Sequence, residues 1–199
     1  MRKFVIIKSF LLTLLFCVGG GAWASFQAGE DAYLREDYET ALSEWRPLAE
    51  QGNAEAQNML GYMYRYGQGV TQDFDLARQW YRRAADLGNS MAQNNLGALY
   101  RQGLGVPQDY QEAFRWFLRA AEQGDGGAQN HVGLMYYKGE GVEKDLVQAY
   151  MWAHLAAQQG VDPSIQALDF LAQEMTPAQM EEAIERAGKW KPKGEEVAL

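Results

Sequence analysis

The sequence predicts an all-α solenoid, and three observations carry that prediction. Gly52, Gly88, Gly124 and Gly160 recur every 36 residues, and a fixed period of this length marks a stacked repeat array. Ala56, Ala92 and Ala128 keep the same step, as do Gly61, Gly97 and Gly133, Tyr64, Tyr100 and Tyr136, Asp73, Asp109 and Asp145, Ala77, Ala113 and Ala149, and Trp80, Trp116 and Trp152. Within one period the apolar residues twice follow the spacing of a helical face, and no segment alternates as a strand would. The expectation is about five helix-turn-helix repeats over residues 25–190.

The chain begins with a segment that belongs to no repeat. Arg2, Lys3 and Lys8 precede an apolar stretch from Phe10 to Val18, and Ala22-Trp23-Ala24 is a small-x-small cleavage pattern. Residues 1–24 therefore read as a cleaved signal peptide. The rival is an uncleaved anchor, but Gly19 to Gly21 interrupt the apolar run short of the ~20 residues a spanning helix needs. Cys17, the only cysteine, follows bulky Leu14, Leu15 and Phe16, which argues against a lipid-attachment site. A chain starting near Ser25 has no cysteine, hence no disulfide framework and no thiolate metal site. The reading places the protein in a bacterial periplasm or outside the cell, with no stable membrane insertion after cleavage.

The first hairpin is irregular: Gly29 precedes Ala41 by 12 residues, whereas Gly61, Gly97 and Gly133 precede their alanines by 16. A tight Glu36-Asp37-Tyr38 turn replaces the longer loop. In the regular unit, Asn53 caps a helix carrying Ala56, Leu60, Gly61, Met63 and Tyr64 on one face and ending near Gly67. A second helix runs from about Asp73 to Leu87, with Leu76, Ala77, Trp80, Tyr81 and Ala84 on its stripe and Gly88 as the left-handed residue beyond it. Glycine inside a helix costs about 1 kcal/mol relative to alanine. Gly61, Gly97 and Gly133 thus call for a packing reason, and the 16-residue spacing suggests that each faces the small Ala77, Ala113 or Ala149.

Asp162-Pro163 and the capping box Thr176-Pro177-Ala178-Gln179 predict helices at 163–174 and 177–187, a closing hairpin. Glu181, Glu182 and Glu185 suit a solvated outer face. Trp190 is expected to fold back on the stack, and residues 191–199 are expected to be disordered.

The repeat motif resembles that of the Sel-like repeat family, a branch of the tetratricopeptide superfamily. The resemblance is carried by Ala92-Gln93-Asn94-Asn95-Leu96-Gly97-Ala98-Leu99-Tyr100, Gly103-Leu104-Gly105-Val106, Asp109-Tyr110, Ala113, Trp116-Phe117 and Ala120-Ala121-Glu122-Gln123-Gly124. It spans roughly residues 28–160. It implies a right-handed superhelix binding proteins or ligands in its groove, with the first helix of each hairpin lining the concave side. The inward positions it implies are Asn58, Tyr62 and Arg65, then Asn94, Ala98 and Arg101, then Asn130, Leu134 and Tyr137. The three asparagines would form an amide ladder suited to an extended peptide backbone, with Arg65 and Arg101 offered to a carboxylate. The alternative is that these residues are solvated or support neighbouring helices.

Several function classes lose ground on the residues. Loss of Arg2, Lys3 and Lys8 with the leader takes the net charge from −8 to −11, an acidic surface unsuited to nucleic acid or anionic lipid. The Gly-x-Gly elements follow no strand and precede no Lys-Ser/Thr pair, so they are not phosphate loops. His131 and His154 are the only histidines and share no cysteine for a zinc site. His131, in phase with Met59 and Asn95, is expected on a helix surface. Some relatives have been described as β-lactamase-like or penicillin-binding, chemistry that uses Ser-x-x-Lys. None of Ser9, Ser25, Ser43, Ser90 and Ser164 has lysine three residues on, so no catalytic residue is nominated. The periodic tryptophans could form a glycan platform, but their stripe favours packing. The reading is a non-catalytic interaction scaffold without cofactor or metal, holding a peptide or protein. An envelope or peptidoglycan-associated factor is its main rival.

Overall fold

The computed structural model describes residues 17–193, with side chains from Phe26 onward. Residues 1–16 of the expected leader lie outside it, and the backbone of the rest is helical. The described residues form ten helices and no strand: α1 (Cys17–Leu34), α2 (Tyr38–Glu50), α3 (Ala54–Tyr66), α4 (Phe74–Asp86), α5 (Ser90–Gln102), α6 (Tyr110–Glu122), α7 (Gly126–Lys138), α8 (Leu146–Gln158), α9 (Asp162–Glu174) and α10 (Pro177–Lys189). Helices α1–α8 pair into four hairpins, and the second helix of each packs on the first helix of the next, ending at α9.

Every regular helix start is written in its capping residue. Asn53, Asn89 and Asp125 accept from the backbone N–H of Ala56, Ala92 and Ala128 at 2.7, 2.8 and 2.7 Å. Asp37, Asp73, Asp109 and Asp145 do the same for α2, α4, α6 and α8. Each such cap is worth about 1 kcal/mol. The first helices stop at Gly67, Gly103 and Gly139, whose φ values near +70° end the helix without strain on a side chain.

The helical glycines do face a close neighbour, but not the small residue expected. A Cβ at Gly61 would stand 2.6 Å from the Tyr81 ring, at Gly97 2.9 Å from the Phe117 ring, and at Gly29 it would run into the Trp45 indole. The partner lies one turn beyond the phased alanine, so each glycine makes room for an aromatic ring. Only Gly133 meets backbone, the Ala149 carbonyl at 3.0 Å and the Ala153 nitrogen at 3.2 Å. The residue at the ring's phase there is Ala153. The antiparallel offset of the two helices, invisible to a count along the chain, accounts for the difference.

The second glycine of each Gly-x-Gly loop also serves packing. Gly69 approaches Tyr38, Gly105 approaches the Phe74 carbonyl and Gly141 the Tyr110 carbonyl, each so closely that a Cβ would collide. The loop of each regular hairpin therefore clasps the start of the second helix in the preceding hairpin. Arg78 strengthens one clasp, donating from Nε to the Gly105 carbonyl at 3.0 Å.

The last two helices form where expected, with the Thr176–Gln179 capping box in place, but they do not close as a hairpin. Both α9 and α10 pack on α8, and α10 runs along α8 instead of α9. Exposed Asp169 stands at the phase held by glycine in the earlier first helices. Ala183 and Ala187 are the buried side of α10, while Glu181, Glu182 and Glu185 are exposed. Trp190 folds back edge-on against Trp152, with ring centroids 6.0 Å apart. Residues 191–193 lie against the end of α6. The Lys193 N–H donates to the Glu122 carbonyl at 2.7 Å, its Nζ pairs with the Glu122 carboxylate at 2.6 Å, and Pro192 lies against Gly124. Residues 194–199 lie outside the described part.

Candidate binding groove

The first helices α3, α5 and α7 carry the positions expected to face inward. The three asparagines do not make a free ladder. Asn58 is buried, and its Oδ1 accepts from Asn95 Nδ2 of α5 at 3.1 Å. Asn130 accepts from Ser164 Oγ of α9 at 2.7 Å. Asn94 keeps a buried Oδ1 without a hydrogen-bond partner among the described residues. Two of the three thus join one repeat to the next.

The cations are also partly committed. Arg101 Nε pairs with Glu140 Oε2 at 3.2 Å, from the loop of the following hairpin. At Glu140's phase one repeat earlier stands Leu104, so Arg65 has no acid there and lies over the Tyr66 ring at 5.2 Å. Tyr62 joins Tyr66 and Tyr33 at centroid distances of 4.4 and 6.4 Å, and burial pushes its hydroxyl pKa up. Ala98 is half-buried between these clusters.

His131 is a wedge and not the surface residue expected from its phase. Its ring lies 4.5 Å from that of Phe117, and its Nδ1 is buried without a hydrogen-bond partner among the described residues. Burial, then the Arg101 and Arg65 charges, lower its pKa to about 4, so it is neutral at physiological pH. Among the described residues no three His, Cys, Asp or Glu side chains converge as a metal site.

The tryptophans are engaged in packing. Trp116 and Trp152 are buried. Arg82 and Arg119 lie over the Trp116 ring at 5.0 and 4.5 Å, and its Nε1 donates to Glu112 at 2.9 Å. Half-buried Trp80 is covered by Arg83 at 4.6 Å. These stacked guanidinium groups occupy ring faces that a sugar would need.

Leu134, Tyr137 and Asn130 are the predicted residues that the fold brings together around open space. They line a notch of about 330 Å³ between α7 and α9. Gly133 and Ala153 contribute from the α7–α8 hairpin, and Pro163, Gln166, Ala167, Phe170 and Leu171 from α9. Phe170 is half exposed and meets Tyr137 edge to face at 5.5 Å. Tyr137 donates its hydroxyl to Glu174 at 3.0 Å, and Lys144 reaches both, 4.8 Å from the ring and 3.6 Å from the carboxylate. This bond to Glu174 raises the Tyr137 pKa. The α9 half of the notch was missed in the sequence because the repeat motif was followed only to Gly160; carried one period on, Asn130, His131 and Leu134 give Gln166, Ala167 and Phe170.

Residues 54–89, 90–125 and 127–161 each match the Sel1 repeat. The chain belongs to the Sel1 repeat family. Its three matched Sel1 repeats are α3–α4, α5–α6 and α7–α8, flanked by α1–α2 and α9–α10. A Sel1 repeat protein from Oxalobacter formigenes is similar at 34% identity and a TM-score of 0.68, over 72% of this chain and 59% of that one. A protective antigen present in uropathogenic Escherichia coli strains, displaying an SLR fold, is similar at 32% identity and a TM-score of 0.78. That alignment covers 87% of this chain and 38% of the antigen, so this Sel1 chain spans less than two thirds of either neighbour. No curated protein matches it in sequence. Sel1 repeats are scaffolds that generally mediate protein–protein interaction, and no helix among the described residues is long and apolar enough to cross a membrane.

Proposed function

We propose that this chain is an exported, non-catalytic Sel1 scaffold that holds a peptide or protein segment in its concave groove. The observation that carries the reading is the notch between α7 and α9, apolar on its floor and rimmed by Asn130 and Gln166. A preformed site of this kind binds without a large ordering cost. Export rests on the charged, apolar and small-x-small order of residues 1–24, with support from a structural neighbour that is a protective antigen. The packed state of Trp80, Trp116 and Trp152 weighs against direct glycan binding.

A photo-crosslinking residue placed at Leu134, with a second at exposed Asp86 on α4 as control, tests the groove in an envelope extract. A discrete adduct from position 134 and none from 86 is expected. Equal labelling from both positions, or none from 134, defeats the groove reading and leaves the Sel1 scaffold intact. Intact mass of the exported protein tests cleavage, with loss of residues 1–24 as the expected result.

A further inference from the structure

The notch has a counterpart in every earlier hairpin, and in each of them it is filled. In the third hairpin the space bounded by Gly97 of α5 holds the Phe117 ring of α6, tilted against His131 of α7 with centroids 4.5 Å apart. In the second, the Tyr81 ring sits on Gly61; in the first, Trp45 sits on Gly29. Moving one period along the chain, Gly97, Phe117 and His131 become Gly133, Ala153 and Ala167. These three residues all line the notch. The opening therefore arises because the two rings that fill the preceding locus, Phe117 of α6 and His131 of α7, are both replaced by methyl groups one period on, Ala153 of α8 and Ala167 of α9.

We propose that the notch receives an aromatic side chain from an extended segment of a partner protein. This deepens the groove-binding reading above and rests on it. The array itself shows which shape this locus accepts, since three of the four sibling positions hold Trp, Tyr or Phe. The size agrees: an apolar cavity of about 150 Å³ suffices for benzene, and the notch of about 330 Å³ admits a phenyl or indole ring together with the atoms that join it to a backbone. Its walls are suited to rings, because Tyr137 and Phe170 already meet edge to face at 5.5 Å and offer further ring edges and faces to an incoming one. At the rim, Ser164 engages Asn130 Oδ1. The Asn130 Nδ2 remains a donor, and Gln166 supplies a second amide for the partner backbone. Aliphatic side chains would fill the floor but would not match the planar slot that the sibling hairpins define.

The test titrates ¹⁵N-labelled protein with N-acetyl-phenylalaninamide, N-acetyl-tryptophanamide and N-acetyl-leucinamide. Saturable amide shifts at Gly133, Ala153 and Ala167, absent at Gly97, are expected with the aromatic probes, at least fivefold tighter than with the leucine probe. Ala153→Phe restores the sibling ring, and Ala167→Trp fills the same space from α9 without entering the α7–α8 interface. Each is expected to weaken aromatic binding at least tenfold while the spectrum reports the fold. Aromatic binding that survives Ala167→Trp in a folded protein overturns the proposal, as does equal affinity for the leucine probe. Crosslinking from Leu134 with no aromatic preference defeats the aromatic proposal alone. Aromatic binding at the notch without a crosslinked partner defeats the groove reading alone.

Discussion

Gln123 donates its side-chain amide to Gln93 Oε1 at 2.7 Å, thirty residues earlier in the chain. Gln159 makes the same bond to Gln129 at 2.9 Å. Gln93 and Gln129 in turn donate to the Ala85 and Ala121 carbonyls at 3.1 and 3.3 Å, so each repeat is tied to the end of the preceding hairpin and to its own. One tie is incomplete. Gln57 donates to the Ala49 carbonyl at 2.9 Å, but its buried Oε1 has no partner because Leu87 occupies the phase of Gln123 and Gln159. Leu87 is itself 59% exposed. Leu87→Gln is expected to stabilise the fold by about 1 kcal/mol, which thermal unfolding would read as a rise of about 2–4 °C. A fall in melting temperature would contradict the tie.

The helical glycines divide into two kinds with opposite expected effects. Gly97→Ala places a Cβ 2.9 Å from the Phe117 ring, and Gly97→Leu adds three more carbons to a site with no room. The larger change is expected to cost on the order of 1–3 kcal/mol. Gly188 in α10 has no atom within 4 Å of an added Cβ, so Gly188→Ala is expected to stabilise by about 0.5–1 kcal/mol. Denaturant midpoints of the two alanine variants should move in opposite directions.

His131 sets an acid-side expectation. Its folded pKa of about 4 lies below the ordinary 6.5, so the unfolded chain binds the proton first. Stability from this group is complete above pH 6.5 and is lost as the pH falls toward 4. The wedge against Phe117, with the Arg101 and Arg65 charges nearby, resists protonation throughout that window. His131→Asn, the residue found at the same phase in Asn95, should remove about 2–3 kcal/mol of pH-dependence between pH 7 and 4.5. Parallel melting curves for wild type and variant across that range would refute the assignment.

Much of the array was legible from its period. The caps, the left-handed stops and the irregular Gly29–Ala41 spacing are local, and local chemistry is written where it acts. What escaped was set by helix offset or by the absence of a side chain. Counting residues pairs Gly97 with Ala113, whereas the crossing of α5 and α6 pairs it with Phe117. The amide phase of Asn58, Asn94 and Asn130 was visible, but not that Asn95 and Ser164 reach across to engage two of them. The notch is formed by Ala153 and Ala167, residues that attract no notice singly; the signal was the loss of a ring at the phase of Trp45, Tyr81 and Phe117.

Trp190 and the residues after it give a fourth expectation. The edge-on contact with Trp152 predicts that Trp190→Ala costs about 1–2 kcal/mol, and tryptophan fluorescence should report the changed environment of Trp152. Among the described residues, truncation after Trp190 removes the Lys193–Glu122 bonds and the Pro192 contact at Gly124. It should cost less, because an exposed ion pair is worth at most about 1 kcal/mol. Equal losses for the two variants would place the energy in the strap and not in the ring contact.

The loop clasps give the array a direction. Gly69, Gly105 and Gly141 each reach backward to Tyr38, Phe74 and Tyr110, so three hairpins hold on to a predecessor. Helices α9 and α10 meet end to end through Met175 and Thr176 and carry no such loop. Their backward hold is the segment after α10, where Lys193 returns to the end of α6. A molecule synthesised from its N-terminus can therefore lock each hairpin onto one already formed, and the grip of Lys193 closes only after α10 has been made.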